Sequence, residues 1–195
     1  MRIVPWVDWK EWNHVYQHLY GSISDARLAL EIITVWRARG NIPHSVEGSA
    51  GLIQVAMQDS VVDDGSMQGN LSEMELRMLY SLAIIRSING LVDPSQKGIY
   101  VESVLSIASN LGIPAWIVEI RHDGTHNSLS SIGVLRAACT YLLQWYRDNY
   151  WNVQFQRVQG SLNAQDDSIV DTETNSLSVG SSIGSISLYT AKRLK

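Results

Sequence analysis

The chain has 195 residues, a formal charge of −4 and a pI near 5.7, and 45% of its residues are apolar. That length fits one domain plus a tail, and seven tryptophans and eight tyrosines can fill a sizeable core. Its single cysteine, Cys139, excludes an intramolecular disulfide framework, and the mild acidity excludes a bulk basic footprint, so any polyanion site must be a local patch. The N-terminus lacks a charged-then-apolar leader and no apolar run nears the ~18 residues of a membrane span, so neither standard secretion nor membrane insertion is expected.

In chain order, the first 158 residues read as helices separated by polar breaks. Asp8 with Glu11 opens a helix to about Tyr20, with Trp9, Trp12, Tyr16 and Leu19 on its apolar stripe. His14 and His18 fall opposite that stripe, on a solvated face. A second helix is expected from about Ser24, a cap candidate, to Arg39, before Gly40 and Pro43. His44 follows that proline in a loop, with no evident acid-base partner. Residues 46–59 form a weaker helix, followed by a loop over 63–69. Ser72 and Glu75 form a capping box that opens a helix to about Asn89-Gly90, and Asp93-Pro94 marks a turn.

Another helix is expected over about 100–111, stopped by Gly112, and Pro114 starts a short one over 115–120. The strongest runs from Ser131 to about Tyr150, with Ile132, Leu135, Cys139, Leu142 and Tyr146 at intervals of three or four. No strand alternation or internal repeat is visible. The fold class is therefore all-α, a helical bundle over 1–158. Residues 159–195 read as a serine-rich, acidic, disordered tail; positions 161–187 hold eight serines, four acids and no basic residue.

The densest chemistry lies between the last two helices, in Arg121-His-Asp-Gly-Thr-His-Asn-Ser-Leu-Ser-Ser131. It combines two of the five histidines with an arginine. Phosphodiester cleavage needs an imidazole to move a proton and a cation to hold the phosphate. Gly124 is read as interrupting any helix here, which places both histidines in an interhelical junction. The plain alternative is that Asn127 or Ser128 caps the last helix, with Arg121 and His122 solvated and Thr125 or His126 bonded to backbone. A metal reading through His122, Asp123 and His126 lacks a zincin glutamate, and Gly124 spoils the shared face. Cys139 falls on an apolar stripe and reads as core rather than nucleophile. The tryptophans could stack bases, but their helical spacing favours core.

The junction has flanks. Upstream is Leu111-Gly-Ile-Pro-Ala-Trp-Ile-Val-Glu-Ile120; downstream are Ile132-Gly-Val-Leu-Arg-Ala-Ala-Cys139 and Trp145-Tyr-Arg-Asp-Asn-Tyr-Trp151. Val4-Pro-Trp-Val-Asp-Trp-Lys-Glu-Trp12 opens the chain, and Arg86-Ser-Ile-Asn-Gly-Leu-Val-Asp-Pro94 lies mid-chain. Over about residues 4–151 this order resembles the Las-one-like family of pre-ribosomal RNA endoribonucleases, in the HEPN superfamily. The resemblance implies that residues 1–158 are a HEPN nuclease domain that works as a homodimer without metal or other cofactor. Its implied substrate is the internal transcribed spacer 2 of pre-ribosomal RNA, cut in the nucleus and nucleolus beside a polynucleotide 5'-kinase partner. It maps catalysis onto Arg121, His122 and His126, with Thr125 at the family's threonine. His126 is the expected principal acid-base residue and His122 its helper. Members usually have Leu-Pro-Ser where this chain has Leu129-Ser-Ser131, and loss of the proline should loosen the approach to the last helix. Members are also usually longer and dock the kinase through a C-terminal segment, to which the resemblance does not extend. A non-catalytic HEPN scaffold that binds RNA or protein in ribosome assembly is the alternative reading.

Overall fold

The computed structural model describes residues 4–63, 71–96, 102–126 and 128–159. The all-α expectation holds: seven α-helices and no strand occur among the described residues. They are α1 (Trp9–Leu19), α2 (Ile23–Arg39), α3 (His44–Asp63), α4 (Glu73–Val92), α5 (Val104–Asn110), α6 (Ala115–His126) and α7 (Ile132–Tyr146). A 3-10 turn, Asp93–Gln96, follows α4 where Asp93-Pro94 was expected to turn the chain. The segment 160–195 and most of the loop expected over 63–69 lie outside the described residues.

Side-chain caps set several starts. Asp8 accepts from the Glu11 amide, and the Glu11 carboxylate takes the Val7 amide in return. Ser22, not Ser24, caps α2, because Asp25 three residues on can return its carboxylate to the Ser22 amide. Ser72 and Glu75 form the expected box on α4. α3 begins at His44, two residues earlier than expected, where the Pro43 carbonyl takes the amides of Val46 and Glu47. α5 starts after Ser103 and ends at Asn110, and the chain turns away at Gly112, whose φ of 73° is left-handed and suits glycine.

α4 is the hub, packed against α3, α5, α6 and α7. Ile84 and Ile88 of α4, Leu52 of α3 and Leu135 and Leu142 of α7 are fully buried at its centre. Burial of such a side chain contributes roughly 1.5–3 kcal/mol. The α1 stripe forms a second focus: Trp12 stacks on Trp151 at 5.1 Å between centroids, and Tyr16 lies parallel to Trp151 at 5.5 Å. Trp151 gets there because α7 widens into a π turn over Arg147–Trp151. One residue is added to the turn, so the position above Tyr146 is Trp151, five residues on, and both are fully buried. The chain then stays helical to 159.

Candidate functional site

α6 does not stop at Ile120. It runs through Gly124 to His126, which corrects the reading of 121–126 as an interrupted junction. A glycine costs a helix about 1 kcal/mol relative to alanine but does not break it, and tertiary contact decides. At Gly124 that contact is α4: a Cβ there would come within 3.2 Å of Ile85 Cδ1 and 3.7 Å of Ser81 Cβ. The missing side chain lets the last turns of α6 lie close against α4.

Continuation of the helix has a chemical consequence. His122 and His126 now share a face one turn apart, both exposed, with ring centroids 5.0 Å apart. Arg121 sits around the helix from them, half-buried, and its Nε donates to Asn89 Oδ1 of α4 at 2.9 Å. It is therefore anchored, not simply solvated as the plain alternative had it. Thr125 Oγ1 does bond backbone, donating to the carbonyls of His122 at 2.8 Å and Arg121 at 3.2 Å. Asn127 lies outside the described residues, and the N-cap position of α7 is Ser131 rather than Ser128.

The missing proline does not leave the approach to α7 loose. Arg77 of α4 donates through Nε to the Ser130 carbonyl at 2.9 Å and through Nη2 to the Leu129 carbonyl. Two charge-assisted bonds fix the strand of chain that a proline would otherwise stiffen. A third arginine ties the scaffold beneath: Arg136 of α7 holds Asp59 of α3 in two 2.7 Å bonds, and Tyr80 of α4 donates to the same carboxylate at 2.8 Å. The Arg136 guanidinium keeps the Asp59 carboxyl below its usual range, ahead of the opposing effect of burial.

A profile described as Las1-like matches residues 4–153, and 150 of 195 positions is well over half the chain. The chain belongs to the Las1-like family. It is 32% identical over 159 residues to "Protein LAS1" of Saccharomyces cerevisiae, covering 77% of this chain and 31% of that one. It is 34% identical over 165 residues to "Ribosomal biogenesis protein LAS1L" of Mus musculus, covering 82% and 20%. With "Pre-rRNA-processing protein las1" of Schizosaccharomyces pombe the identity is 30% over 184 residues, covering 91% and 35%. The chain thus spans between a fifth and about a third of the length of these curated relatives.

In this Las1-like chain the other candidate groups sort out as follows. Cys139 is core as expected: it is 3% exposed, and burial pushes its thiol up to about 12, so it is no nucleophile near neutral pH. Trp6, Trp12, Trp36 and Trp151 are buried, whereas Trp116 is 38% exposed. His14 and His18 stand on the outer face of α1, with His18 Nδ1 2.7 Å from the His14 carbonyl. His44 differs most from its reading as an unpartnered loop residue. It heads α3 with Nε2 3.1 Å from the Ser87 carbonyl and 3.2 Å from the Tyr146 hydroxyl. Burial holds its imidazole below the ordinary histidine value. Arg77 belongs to none of the quoted segments, and Asn89 lies in the mid-chain segment Arg86–Pro94 without a role assigned to it. The available signal was local: Asn is a poor helix former, yet Asn89 lies in the last turns of α4, where a partly buried polar side chain needs a partner.

Among the described residues, Arg121, His122 and His126 line neither of the two main hollows. These shallow hollows, of about 440 and 240 Å³, lie elsewhere, one beside Leu105 and Pro114 and the other beside Tyr20 and Met57. His122 and His126 are exposed; on α4, Met74, Met78 and Leu82 are 51–55% exposed at intervals of one turn. Among the described residues, no helix is long and apolar enough to cross a membrane.

Proposed function

We propose that this chain is the nuclease half-site of an endoribonuclease that cuts internal transcribed spacer 2 of pre-ribosomal RNA during large-subunit maturation, in the nucleus and nucleolus. The observation that carries the reading is the exposed His122–His126 face beside an Arg121 fixed by α4, on one helix of a Las1-like chain. The names of the relatives, pre-rRNA processing and ribosomal biogenesis, support the substrate class.

In the proposed reaction the RNA's own 2'-oxygen attacks phosphorus and the bond to the 5'-oxygen breaks. One imidazole takes the 2'-hydroxyl proton and an imidazolium returns a proton to the leaving 5'-oxygen. Each proton transfer supplies roughly 10²- to 10⁴-fold. Arg121 opposes the charge that builds on the phosphoryl oxygens. The products are a 2',3'-cyclic phosphate and a 5'-hydroxyl, the group a polynucleotide 5'-kinase partner would consume. No step requires a metal. His126 is the principal acid-base residue and His122 its helper.

An open face with one arginine is half of a cleft. A second copy across a two-fold axis would bring a second Arg121 and a second histidine pair to the same phosphate. Elsewhere on α4, Met74, Met78 and Leu82 are exposed apolar side chains that a homodimer could bury. The test is cleavage of spacer RNA in EDTA by the parent, Arg121→Ala and His126→Ala chains. EDTA-resistant cleavage lost in both variants is the expected result. Unchanged cleavage by His126→Ala removes the mechanism, and RNA binding without cleavage, with the kinase present, points to the scaffold role instead.

A further inference from the structure

We propose that Asn89 is a positioning residue for Arg121: its side-chain oxygen takes the Nε–H of the guanidinium and so turns the edge formed by the two Nη groups toward the phosphate. The proposal rests on the reading of Arg121 as the phosphate-binding group. A guanidinium has donors only, so the Asn89 oxygen, not its amide nitrogen, must face Nε, and the 2.9 Å bond has one possible sense. A planar fork bonded at Nε is restrained from turning about its Cδ–Nε bond. What stays available is the end-on pair of Nη groups, the edge that meets two phosphate oxygens at once.

The backbone on either side of Asn89 is tightly packed. A Cβ at the next residue, Gly90, would fall inside the His44 ring, and one at Gly48 of α3 would fall on the Tyr146 hydroxyl. Through these two gaps His44 Nε2 reaches the Ser87 carbonyl at 3.1 Å, and the Tyr146 hydroxyl lies 3.4 Å from that same carbonyl. Three helices thus converge on the turn of α4 that carries Asn89. The choice of an amide also has an electrostatic reason. A carboxylate would accept the same bond, but its charge would offset the cation just where a polyanion approaches. An amide orients the fork and leaves its charge intact.

The experiment compares Asn89→Leu with Asn89→Asp by cleavage kinetics and by the ¹⁵N–¹H signal of Arg121 Nε, assigned with Arg121→Lys. Asn89→Leu is expected to lower kcat about 10- to 100-fold, the scale of a misplacement of about 1 Å, with KM within about 2-fold. The Nε–H signal should lose its exchange protection while Tm stays within a few degrees of the parent. Asn89→Asp is expected to keep the protected signal and to raise KM instead. An Asn89→Leu chain with parental kcat and an inactive Arg121→Ala control overturns the proposal alone. So does an unchanged Nε–H signal, or a kcat loss matched by loss of folded protein. An Arg121→Ala chain that cleaves at the parental rate overturns the site reading, and the proposal with it.

Discussion

Two histidine pairs on this chain have the same spacing and the same helical setting, both on outward faces with His18 partly buried, and they differ in what stands behind them. His14 and His18 on α1 have ring centroids 3.9 Å apart, closer than the 5.0 Å of His122 and His126 on α6. By proximity alone the α1 pair is the better one. Its bonding is inward and local, however, with His18 tied to the carbonyl of His14. The α6 pair sits one step around the helix from an arginine that α4 anchors through Asn89. Its helix is pressed on α4 at Gly124, and the chain beyond it is pinned by Arg77. A histidine pair at helical spacing is cheap for a sequence to make. An oriented cation beside it takes a second helix.

The sharpest way to break that comparison is to remove each pair in turn. His126→Ala and Arg121→Ala should each lower cleavage of spacer RNA by about 10²-fold or more. His14→Ala and His18→Ala should stay within about 2-fold. Equal losses from both pairs would show that the α4 anchor is irrelevant.

A next step leaves both pairs intact and disturbs only the support. Gly90→Ala drives a methyl into the His44 ring, and overpacking of this kind costs about 1–3 kcal/mol. Thermal melts should show a clear fall in Tm, and cleavage by the remaining folded protein should fall as well, because Asn89 moves. Gly133→Ala is the control, since its new methyl meets nothing within 4 Å. Arg77→Ala is expected to be milder. It strips the donors from the Leu129 and Ser130 carbonyls, which water can partly replace, for a loss of about 1–2 kcal/mol in urea unfolding.

The smallest expected effect is one of pH. Burial lowers the His44 pKa in the folded chain, so the unfolded chain binds the extra proton first. Stability from this residue is complete above the unfolded histidine value of about 6.5 and is lost as pH falls through the lower, folded value. Melts between pH 7.5 and 5 should show this slope, and His44→Gln should flatten it. Asp59 acts in a separate window: its pKa is also lowered, and its contribution disappears only as pH falls below the ordinary carboxylate range. A slope between pH 7.5 and 5 that is unchanged in His44→Gln would assign it to other groups.

Much of the fold is legible in the residues themselves. The Asp8 cap, the Ser72 box, the Gly112 stop and the apolar stripes of α1 and α7 need only local rules, and the structure keeps them, although Glu11 returns its carboxylate to Val7 rather than to Asp8. Ser22 in place of Ser24 is legible as well, because Asp25 three residues on is its reciprocal partner. Gly124 was not, because helix propensity counts the cost of a glycine and cannot see Ile85 on another helix. The same holds for His44, whose partners Ser87 and Tyr146 lie 43 and 102 residues away.

For the site, the sequence by itself determined the inventory: one arginine and two histidines within six positions, just before the strongest helix. Residue identity and spacing are local properties, so a chain can carry them without a fold. Only the tertiary structure decided that α6 runs on to His126, that His122 and His126 share an open face, and that Asn89 turns the fork of Arg121. Each of those depends on α4 lying close against α6. That closeness comes from a side chain that is absent at Gly124, and its effect exists only when the second helix is there to fill the space.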